Sequence, residues 1–196
     1  MISMETIKIK HRTFEIIERL SKDNFIAERK GKQYFVRQFD PKSQEGKELV
    51  YCLKNLSSSG VKIPKLHYLD DRNGFAVSEI IIGEKMSDYL SHSDMSEELF
   101  EQLFRNAYFA KVHSMTLDYE PEWWTLVNNT LYYTRPIFIK FQKEKDLADH
   151  YIRLWFNTHE LANYLAKLGI SYDKSRIKDE YLTNKQVVLT VLKHYR

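Results

Sequence analysis

Residues 60–83 read GVKIPKLHYLDDRNGFAVSEIIIG, and this stretch decides the fold class. It begins with a loop at Gly60 and an extended segment that leads into Pro64, because the residue before a proline is pushed away from helical geometry. Two runs rich in β-branched and aromatic residues follow, at residues 65–69 and 75–82. The sequence DDRNG separates them, and Asn-Gly favours a turn since both residues tolerate a positive φ. The stretch therefore predicts two strands joined by a turn.

Upstream of this stretch the pattern predicts further strands and one helix. Residues 7–17 are rich in β-forming residues, and residues 25–29 and 33–39 flank a short connection that contains Gly31. Residues 43–56 have helical character and end in the sequence SSSG, which is a strong helix stop. The first part of the chain is therefore predicted to contain three strands, a helix and two more strands.

Downstream of residue 84 the apolar spacing becomes helical. A short helix is predicted over residues 84–90, and a longer one begins after Ser96, a good N-cap followed by two glutamates. A small hairpin is predicted near residues 125–134. Three more helices are predicted over residues 147–156, 158–168 and 184–195. The last helix has one apolar face, formed by Val188, Val191, Leu192 and Tyr195.

The order of these elements predicts an α+β protein with two lobes. Residues 1–83 are expected to form a β-rich N-terminal lobe with one helix. Residues 84–196 are expected to form a reduced helical C-terminal lobe that carries the hairpin near residues 125–134. We see no internal repeat and no low-complexity linker in the sequence.

The composition excludes several classes of protein. Hydrophobic residues make up 43% and charged residues 29% of the 196 residues, which is typical of a folded chain rather than a disordered one. The single cysteine, Cys52, excludes a disulfide framework and a multi-cysteine metal cluster. No apolar run approaches the roughly 20 residues that a bilayer span needs, and the N-terminus shows no signal segment. We therefore expect a cytoplasmic protein with no membrane partner.

The net charge of +3 is too small to imply nucleic-acid binding by itself. The C-terminal part is more biased, because residues 167–196 contain seven Lys or Arg and three Asp or Glu. A solvated helix face explains this bias, and a surface that binds a polyanion is the alternative. Nucleic acid thus stays open as a partner of the basic C-terminal helix.

The elements and several residues resemble the protein-kinase-like superfamily. The similarity is to small atypical bacterial kinases that are related to the lipopolysaccharide and aminoglycoside kinases and to the KEOPS-complex kinase. The sequence GVKIPKL at residues 60–66 matches the entry to the fourth strand in this superfamily, and FAVSEIIIG at residues 75–83 matches the fifth strand and the hinge. The resemblance covers nearly the whole chain. It implies a two-lobed protein-kinase-like fold.

The resemblance implies nucleotide-handling roles in the N-terminal lobe. Arg37 stands where the family has the strand lysine that pairs with the ATP phosphates. Glu48 matches the helix glutamate that would anchor this cation, and Glu45 is a second candidate. The first turn, LSKDNF at residues 20–25, lacks the glycines with which the family cradles phosphate.

The resemblance also implies an adenine-binding hinge. The backbone from Glu79 to Ile81 would bind adenine, and Ser78 would stand at the gatekeeper position. Read as sequence alone, this segment is a buried strand that ends in a glycine.

The chemistry of the family follows the long helix, and here the sequence departs from the family pattern. Asp118 is placed like the catalytic-loop aspartate that accepts the substrate hydroxyl proton. The metal-binding asparagine of the family falls on Trp123, and the metal-binding aspartate falls on Arg135. Neither side chain offers Mg²⁺ the oxygen ligand that it requires. Phosphoryl transfer depends mainly on this electrostatic stabilisation, so both changes predict its loss.

Our first interpretation is therefore a pseudokinase that binds a protein partner or a nucleotide. ATP and Mg²⁺ are expected as cofactors only in a second interpretation, an active atypical serine/threonine or small-molecule kinase that uses Asp118 as base. Its metal site would have to be rebuilt from other carboxylates, for which the candidates are Glu120, Glu122, Glu144 and Asp146. A third interpretation is a nucleic-acid-associated protein that uses the basic C-terminal helix.

Overall fold

Six strands form one antiparallel sheet in the first part of the chain. The structure is a computed structural model that describes residues 5–195. The strands are β1 Thr6–Ile9, β2 Arg12–Arg19, β3 Asn24–Arg29, β4 Lys32–Gln38, β5 Leu66–Asp70 and β6 Phe75–Ser78. They lie in the order β1-β2-β3-β4-β6-β5, and every neighbouring pair is antiparallel. Helix α1, Gln44–Ser59, follows β4 and precedes β5.

The chain divides into two units, and the sheet belongs to the first. Among the described residues, unit 1 comprises residues 5–57 and 64–81, and unit 2 comprises residues 58–63 and 82–195. Strand β3 shows how unit 1 builds its core, because its side chains alternate between the two faces of the sheet and only one face is buried. The buried cluster consists of Ile9, Phe14, Phe25, Ala27, Tyr34, Val36, Phe75 and Val77.

The turn between β5 and β6 depends on the glycine that the sequence pattern singles out. Gly74 has a φ of +74°, and a Cβ at this position would lie 1.9 Å from the carbonyl oxygen of Phe39. The buried Asp70 carboxylate stabilises the same turn, since it accepts hydrogen bonds from the Asn73 backbone N–H and side-chain amide at 3.1 and 3.0 Å. Only glycine satisfies both the backbone angle and the close approach.

Unit 2 contains most of the helices. Its elements are β7 Glu84–Lys85, α2 Met86–His92, α3 Glu97–Val112, β8 Met115–Thr116, β9 Trp124–Val127, β10 Thr130–Tyr133, β11 Ile139–Lys140, α4 His159–Lys167 and α5 Glu180–His194. Strands β10, β9 and β7 form a three-stranded sheet, and β11 pairs with β8. The tight turn between β9 and β10 uses Asn128 and Asn129, both at positive φ, which is the geometry that suits a two-residue hairpin.

Two expectations for the sheet of unit 1 are corrected by the structure. Residues 7–17 form two strands rather than one, because the chain turns at Lys10, which has a φ of 54°. The strand expected over residues 75–82 ends at Ser78. Both neighbouring strands make their last pairing there, and beyond it the Glu79 N–H donates to the Lys65 carbonyl at 2.9 Å without continuing the ladder.

The helix predicted over residues 147–156 is also corrected. The structure has a π-helical turn at Leu147–Tyr151 followed by a 3₁₀ turn at Ile152–Trp155. Leu147, Ile152 and Trp155 are all buried, and they are separated by five and then three residues. A wide π turn and a tight 3₁₀ turn match these two spacings better than a uniform α-helix does.

No helix within residues 5–195 is both long enough and apolar enough to cross a bilayer. The longest helices, α1 and α3, have 16 residues each. This length falls short of the roughly 20 residues that a span requires.

The core of unit 1 predicts a strong effect of one truncation. Replacing the fully buried Phe25 by Ala should lower the free energy of unfolding by about 3–5 kcal/mol, because it removes apolar contacts and leaves a cavity. The matched control is Ile17→Ala on β2, where the side chain is 47% exposed and a loss below about 1 kcal/mol is expected. Urea denaturation followed by circular dichroism measures both, and equal losses would contradict the assigned core.

Candidate functional site

Two buried aromatic side chains hold the backbone of Asp118, the residue on which the expected chemistry depends. The Tyr133 hydroxyl accepts a hydrogen bond from the Asp118 N–H at 3.2 Å and donates one to the Ile137 carbonyl at 2.7 Å. The Trp124 indole N–H donates to the Asp118 carbonyl at 3.0 Å. Both rings are fully buried and come from the β9–β10 hairpin. The hairpin therefore fixes the position of Asp118.

The Asp118 carboxylate has two partners within unit 2. One oxygen accepts a hydrogen bond from the Glu120 backbone N–H at 3.2 Å. The other accepts a hydrogen bond from the Arg135 guanidinium, and the two side chains form an ion pair. The side chains are 19% and 31% exposed, so the pair is largely shielded from water. The carboxylate that the resemblance makes a proton acceptor is held by a cation.

Arg135 is placed by the residue before it. Thr134 donates hydrogen bonds to the Trp123 carbonyl from its backbone N–H, at 2.8 Å, and from its hydroxyl, at 2.9 Å. This double contact joins the two segments and puts the Arg135 guanidinium 4.5 Å from the centre of the Trp123 ring. Such stacking favours arginine, whose planar cation interacts with the face of an aromatic ring.

Glu120 adds a second carboxyl group to this cluster. Burial raises the pKa of Glu120, and the neighbouring Asp118 and Glu122 carboxylates raise it further, although Arg135 opposes them. Two acidic side chains, Asp118 and Glu120, therefore interact with the Arg135 guanidinium. We call Asp118, Glu120, Trp123 and Arg135 the charged cluster.

The residues of the charged cluster do not fit the metal that the resemblance implies. Trp123 and Arg135, at the two expected ligand positions, offer no oxygen to Mg²⁺. Within residues 5–195, no three His, Cys, Asp or Glu side chains are grouped so that they could hold a metal ion. Asp146 accepts hydrogen bonds from the Leu147 N–H and the Tyr195 hydroxyl, whereas Glu144 is exposed. The alternative carboxylates are thus not assembled into a ligand set.

Arg37 lies at the end of β4 in unit 1 and lines a groove of about 680 Å³. Its guanidinium donates to the Asn24 side-chain oxygen at 3.1 Å, and burial lowers its pKa. Glu45 lines the same groove from the first turn of α1. The Glu48 side chain is exposed and accepts a hydrogen bond from Gln44 at 2.8 Å. Among the described residues Glu48 and Arg37 form no ion pair, and Glu45, but not Glu48, lines the groove that Arg37 lines.

In the turn between β2 and β3, backbone N–H groups donate to a side chain of the turn itself. The Ser21 hydroxyl oxygen accepts hydrogen bonds from the backbone N–H groups of Asp23 and Asn24, at 3.3 and 3.1 Å. It also accepts one from the Asn24 side-chain amide at 2.9 Å. A phosphate-binding loop instead directs such N–H groups at the ligand. This turn is closed by a serine where the resemblance leads one to expect glycines.

The segment compared with a kinase hinge begins at the end of β6, an interior strand of the sheet. Ser78 ends β6 and pairs with Phe35 and Leu66. The Glu79 N–H donates to the Lys65 carbonyl at 2.9 Å, and its carboxylate accepts from the Lys65 N–H at 3.0 Å. Ile81 is half-buried and belongs to no strand. The first backbone donor of the segment is thus already used within unit 1.

The sequence reasoning named Asp118, Trp123 and Arg135 one by one and missed that they interact. It also did not single out Tyr133, whose hydroxyl accepts a hydrogen bond from the Asp118 N–H. The available signal was the sign of the charge, because Arg135 stands where the resemblance implies a carboxylate close to Asp118. A cation so placed attracts the aspartate that a second carboxylate would repel.

Comparison with known proteins assigns no function to the charged cluster. No protein-family model matches the chain, and no curated protein is significantly similar to it. The chemistry of the cluster follows from its own side chains and their geometry.

The shielded ion pair predicts measurable coupling between its two partners. In a double-mutant cycle with Asp118→Ala and Arg135→Ala, we expect a coupling energy of about 1–3 kcal/mol, because the pair is partly removed from water. The matched pair is Arg105 with Glu101 on α3, whose side chains are 55% and 60% exposed. The coupling energy of this exposed pair should be about 0.5 kcal/mol. Urea denaturation measures both cycles, and no difference between them would contradict the shielding.

The raised pKa of Glu120 predicts a pH-dependent effect of Glu120→Gln. Near neutral pH the ionised Glu120 is disfavoured by burial and by two carboxylates, so the variant should unfold at a higher temperature than the wild type. The difference should shrink as the pH falls toward 4.5, where the wild-type side chain also becomes neutral. Thermal unfolding across this range measures it. A difference that grows on acidification would contradict the prediction.

Proposed function

We propose that this chain is a member of the protein-kinase-like superfamily that has lost phosphotransfer and acts by binding a partner protein or a nucleotide. The observation that carries the proposal is the ion pair between Asp118 and Arg135. In a working kinase the first position would accept the substrate proton and the second would hold the metal. Here the second position carries a cation that binds the first.

The order of elements supports the kinase-like part of the proposal. In unit 1, β4, α1, β5 and β6 follow one another as the third strand, helix, fourth strand and fifth strand of the resemblance. In unit 2 the long helix α3 precedes Asp118, and the hairpin of β9 and β10 separates Asp118 from Arg135. The elements that support the proposal are thus those on which the motifs of the resemblance lie.

The turn between β2 and β3 supports the loss of phosphotransfer independently of the ion pair. Ser21 binds two backbone N–H groups that a phosphate loop would present to ATP. Phosphoryl transfer relies almost wholly on positioning and on neutralising charge. A chain without the loop donors and without carboxylates at the metal positions keeps little of this stabilisation.

The basic C-terminal segment supplies no comparable argument for nucleic acid. Arg176 binds the Leu90 carbonyl at 3.0 Å and the Asp94 carboxylate at 2.6 Å, and Lys193 pairs with Glu97 at 2.6 Å. Arg176 and Lys193 thus each have an acidic partner within unit 2. Salt-dependent retention on heparin or RNA would nevertheless favour that interpretation, because phosphate contacts release counterions.

Thermal unfolding with ATP or ADP, each with and without Mg²⁺ or Mn²⁺, tests the proposal. We expect no stabilisation that requires a metal. A ligand at 100 times its Kd stabilises the folded state by about 2.7 kcal/mol, so binding would be visible. A shift without metal would identify a nucleotide as the ligand, and no shift would direct the search to a protein partner. A metal-dependent shift would overturn the proposal in favour of an active kinase.

A charge-reversing variant tests the same proposal through a gain of metal-dependent stabilisation by ATP. Arg135→Asp restores the carboxylate that the family uses, and with ATP it should produce a Mn²⁺-dependent rise in unfolding temperature. The control is Arg105→Asp, which introduces the same change on the exposed face of α3. If both variants respond equally, the effect is not specific to the charged cluster and the comparison with the family's metal position fails.

A further inference from the structure

Three basic residues lie at one end of the buried face of the sheet in unit 1. They are Arg12 at the start of β2, Arg29 at the end of β3 and Lys32 at the start of β4, on three neighbouring strands. Each lies two residues from a buried residue of that face, and side chains two residues apart in a strand point to the same side. The three cations thus form a row across the sheet, about 10 Å wide at the usual spacing between strands.

Aromatic rings hold these cations in place. Each cation lies over one ring, with distances to the ring centre of 4.1, 5.8 and 6.0 Å in the pairs Arg12–Tyr68, Lys32–Tyr34 and Arg29–Phe14. The Phe14 ring in turn contacts those of Tyr34 and Tyr68, with centres 5.8 and 6.3 Å apart. Because the rings attract the cations and restrict them, little side-chain freedom is left to lose when an anion binds.

The cations of this row repel one another. Arg29 and Lys32 are directly opposite each other in the pairing of β3 with β4, and like charges in that position are unfavourable. Lys30, exposed in the turn between them, adds a further positive charge. Among the described residues, none of these cations nor Arg12 forms an ion pair. An anion bound between them would relieve the repulsion.

His67 on β5 senses the electrostatic potential beside the row. Its pKa is lowered by burial and then by the charges of Lys32 and Lys65. Glu79 opposes these two cations more weakly, and its carboxylate already accepts a hydrogen bond from the Lys65 backbone N–H at 3.0 Å. The neighbouring charges thus make the potential at the imidazole positive. We call Arg12, Arg29, Lys30, Lys32 and Lys65 the basic rim.

We propose that the basic rim binds the phosphodiester backbone of a nucleic acid without selecting its base sequence. A row of charges about 10 Å wide suits a linear polyanion, with one charge per roughly 3.4 Å of each strand, better than an isolated phosphate group. Arginine and lysine bind phosphate oxygens, and such contacts position a nucleic acid without reading its bases. The Phe14 and Tyr34 rings are buried beneath their cations, so they offer the bases no face for stacking.

The two turns at this end of the sheet favour a nucleic acid over a protein or a membrane as the partner. Lys10 and His11 form the turn before β2, and Lys30 and Gly31 form the turn before β4. Neither turn exposes a large apolar side chain. A protein interface has an apolar core, and a peripheral membrane protein inserts apolar side chains into the bilayer. A phosphate backbone requires positive charge alone.

This inference is independent of the proposed loss of phosphotransfer, because the basic rim shares no residue with the charged cluster. The first measurement is the fluorescence anisotropy of a labelled oligothymidine of about 20 nucleotides, titrated with the full chain between roughly 50 and 200 mM salt. Five phosphate contacts on a single strand predict a slope of about −3.5 in log K against log salt concentration, which is a loss of roughly 100-fold in affinity over this range. Oligouridine and duplex DNA, used as further probes, distinguish the kinds of nucleic acid. No binding of any of the three probes at the lowest salt concentration would overturn the proposal.

A pair of charge-reversing variants localises the binding surface. Lys30→Glu with Lys32→Glu removes two of the five contacts and should reduce the slope to about −2. The same change places a carboxylate opposite Arg29, so the free variant should unfold at no lower temperature than the wild type. The control, Lys178→Glu with Lys185→Glu, changes the net charge equally at exposed positions of the basic C-terminal segment and should bind like the wild type.

Two outcomes of this comparison would contradict the assignment. Weaker binding by the control variant alone would place the nucleic acid on the C-terminal helix. Equal weakening of both variants would show a response to net charge alone, without a defined surface in unit 1.

His67 provides a local readout of binding. A phosphate at the basic rim stabilises the protonated imidazole, so saturation with oligothymidine should raise the pKa of His67. NMR titration of the ring proton measures this pKa, and His67→Gln assigns the signal. An unchanged pKa at saturation would overturn the proposal. Sedimentation of the chain with vesicles of anionic lipid, without binding of any oligonucleotide, would also overturn it and would assign the rim to a membrane surface.

Discussion

The hydrogen bonds from Trp124 and Tyr133 to the backbone of Asp118 are the constraint on which the charged cluster depends. Each ring is fully buried, so its polar atom needs a partner inside the protein. Asp118 supplies both partners through its own N–H and carbonyl. Its side chain is thereby aimed at Arg135 by packing rather than by the ion pair alone. The buried aromatic side chains of the hairpin therefore determine where Asp118 lies.

The proposed loss of phosphotransfer rests on how the Asp118 carboxylate is occupied. The guanidinium of Arg135 occupies the carboxylate of Asp118 and lies against the ring of Trp123, which leaves it little freedom. A general base must reach the proton that it removes, and one oxygen of this carboxylate is already occupied by the guanidinium. In unit 1 the Ser21 hydroxyl binds the backbone donors of its turn in a comparable way. In both units, groups that a kinase would present to its substrate have found partners within the chain.

The sequence predicted the fold best where local signals were strong. Gly31 marked the connection between β3 and β4, and Asn73 with Gly74 marked the turn before β6. It failed at Lys10, because lysine carries no turn signal and its positive φ is imposed by the pairing of β1 with β2. For α5 it placed Val188 and Leu192 on the apolar face, but Val187 is the buried residue and those two are exposed. Which of two apolar faces is buried depends on contacts that no local pattern records.

The charged cluster could be named from the sequence but not assembled from it. Asp118 and Arg135 are 17 residues apart, and their contact requires the hairpin to return the chain to Trp123. The Thr134 hydroxyl fixes this arrangement by donating to the Trp123 carbonyl. The residue type alone does not predict that contact. Resemblance supplied the positions, whereas the pairing comes from the folded backbone.

The stacking of Arg135 on Trp123 has an optical consequence. Of the three tryptophans, Trp124 and Trp155 are almost fully buried, and each donates its indole N–H to a backbone carbonyl. Trp123 alone is half-buried, with a positive charge 4.5 Å from its ring centre. A ligand that draws the guanidinium away changes the electric field at that indole and hence its emission. The emission of Trp123 therefore reports any displacement of the Arg135 guanidinium from its ring.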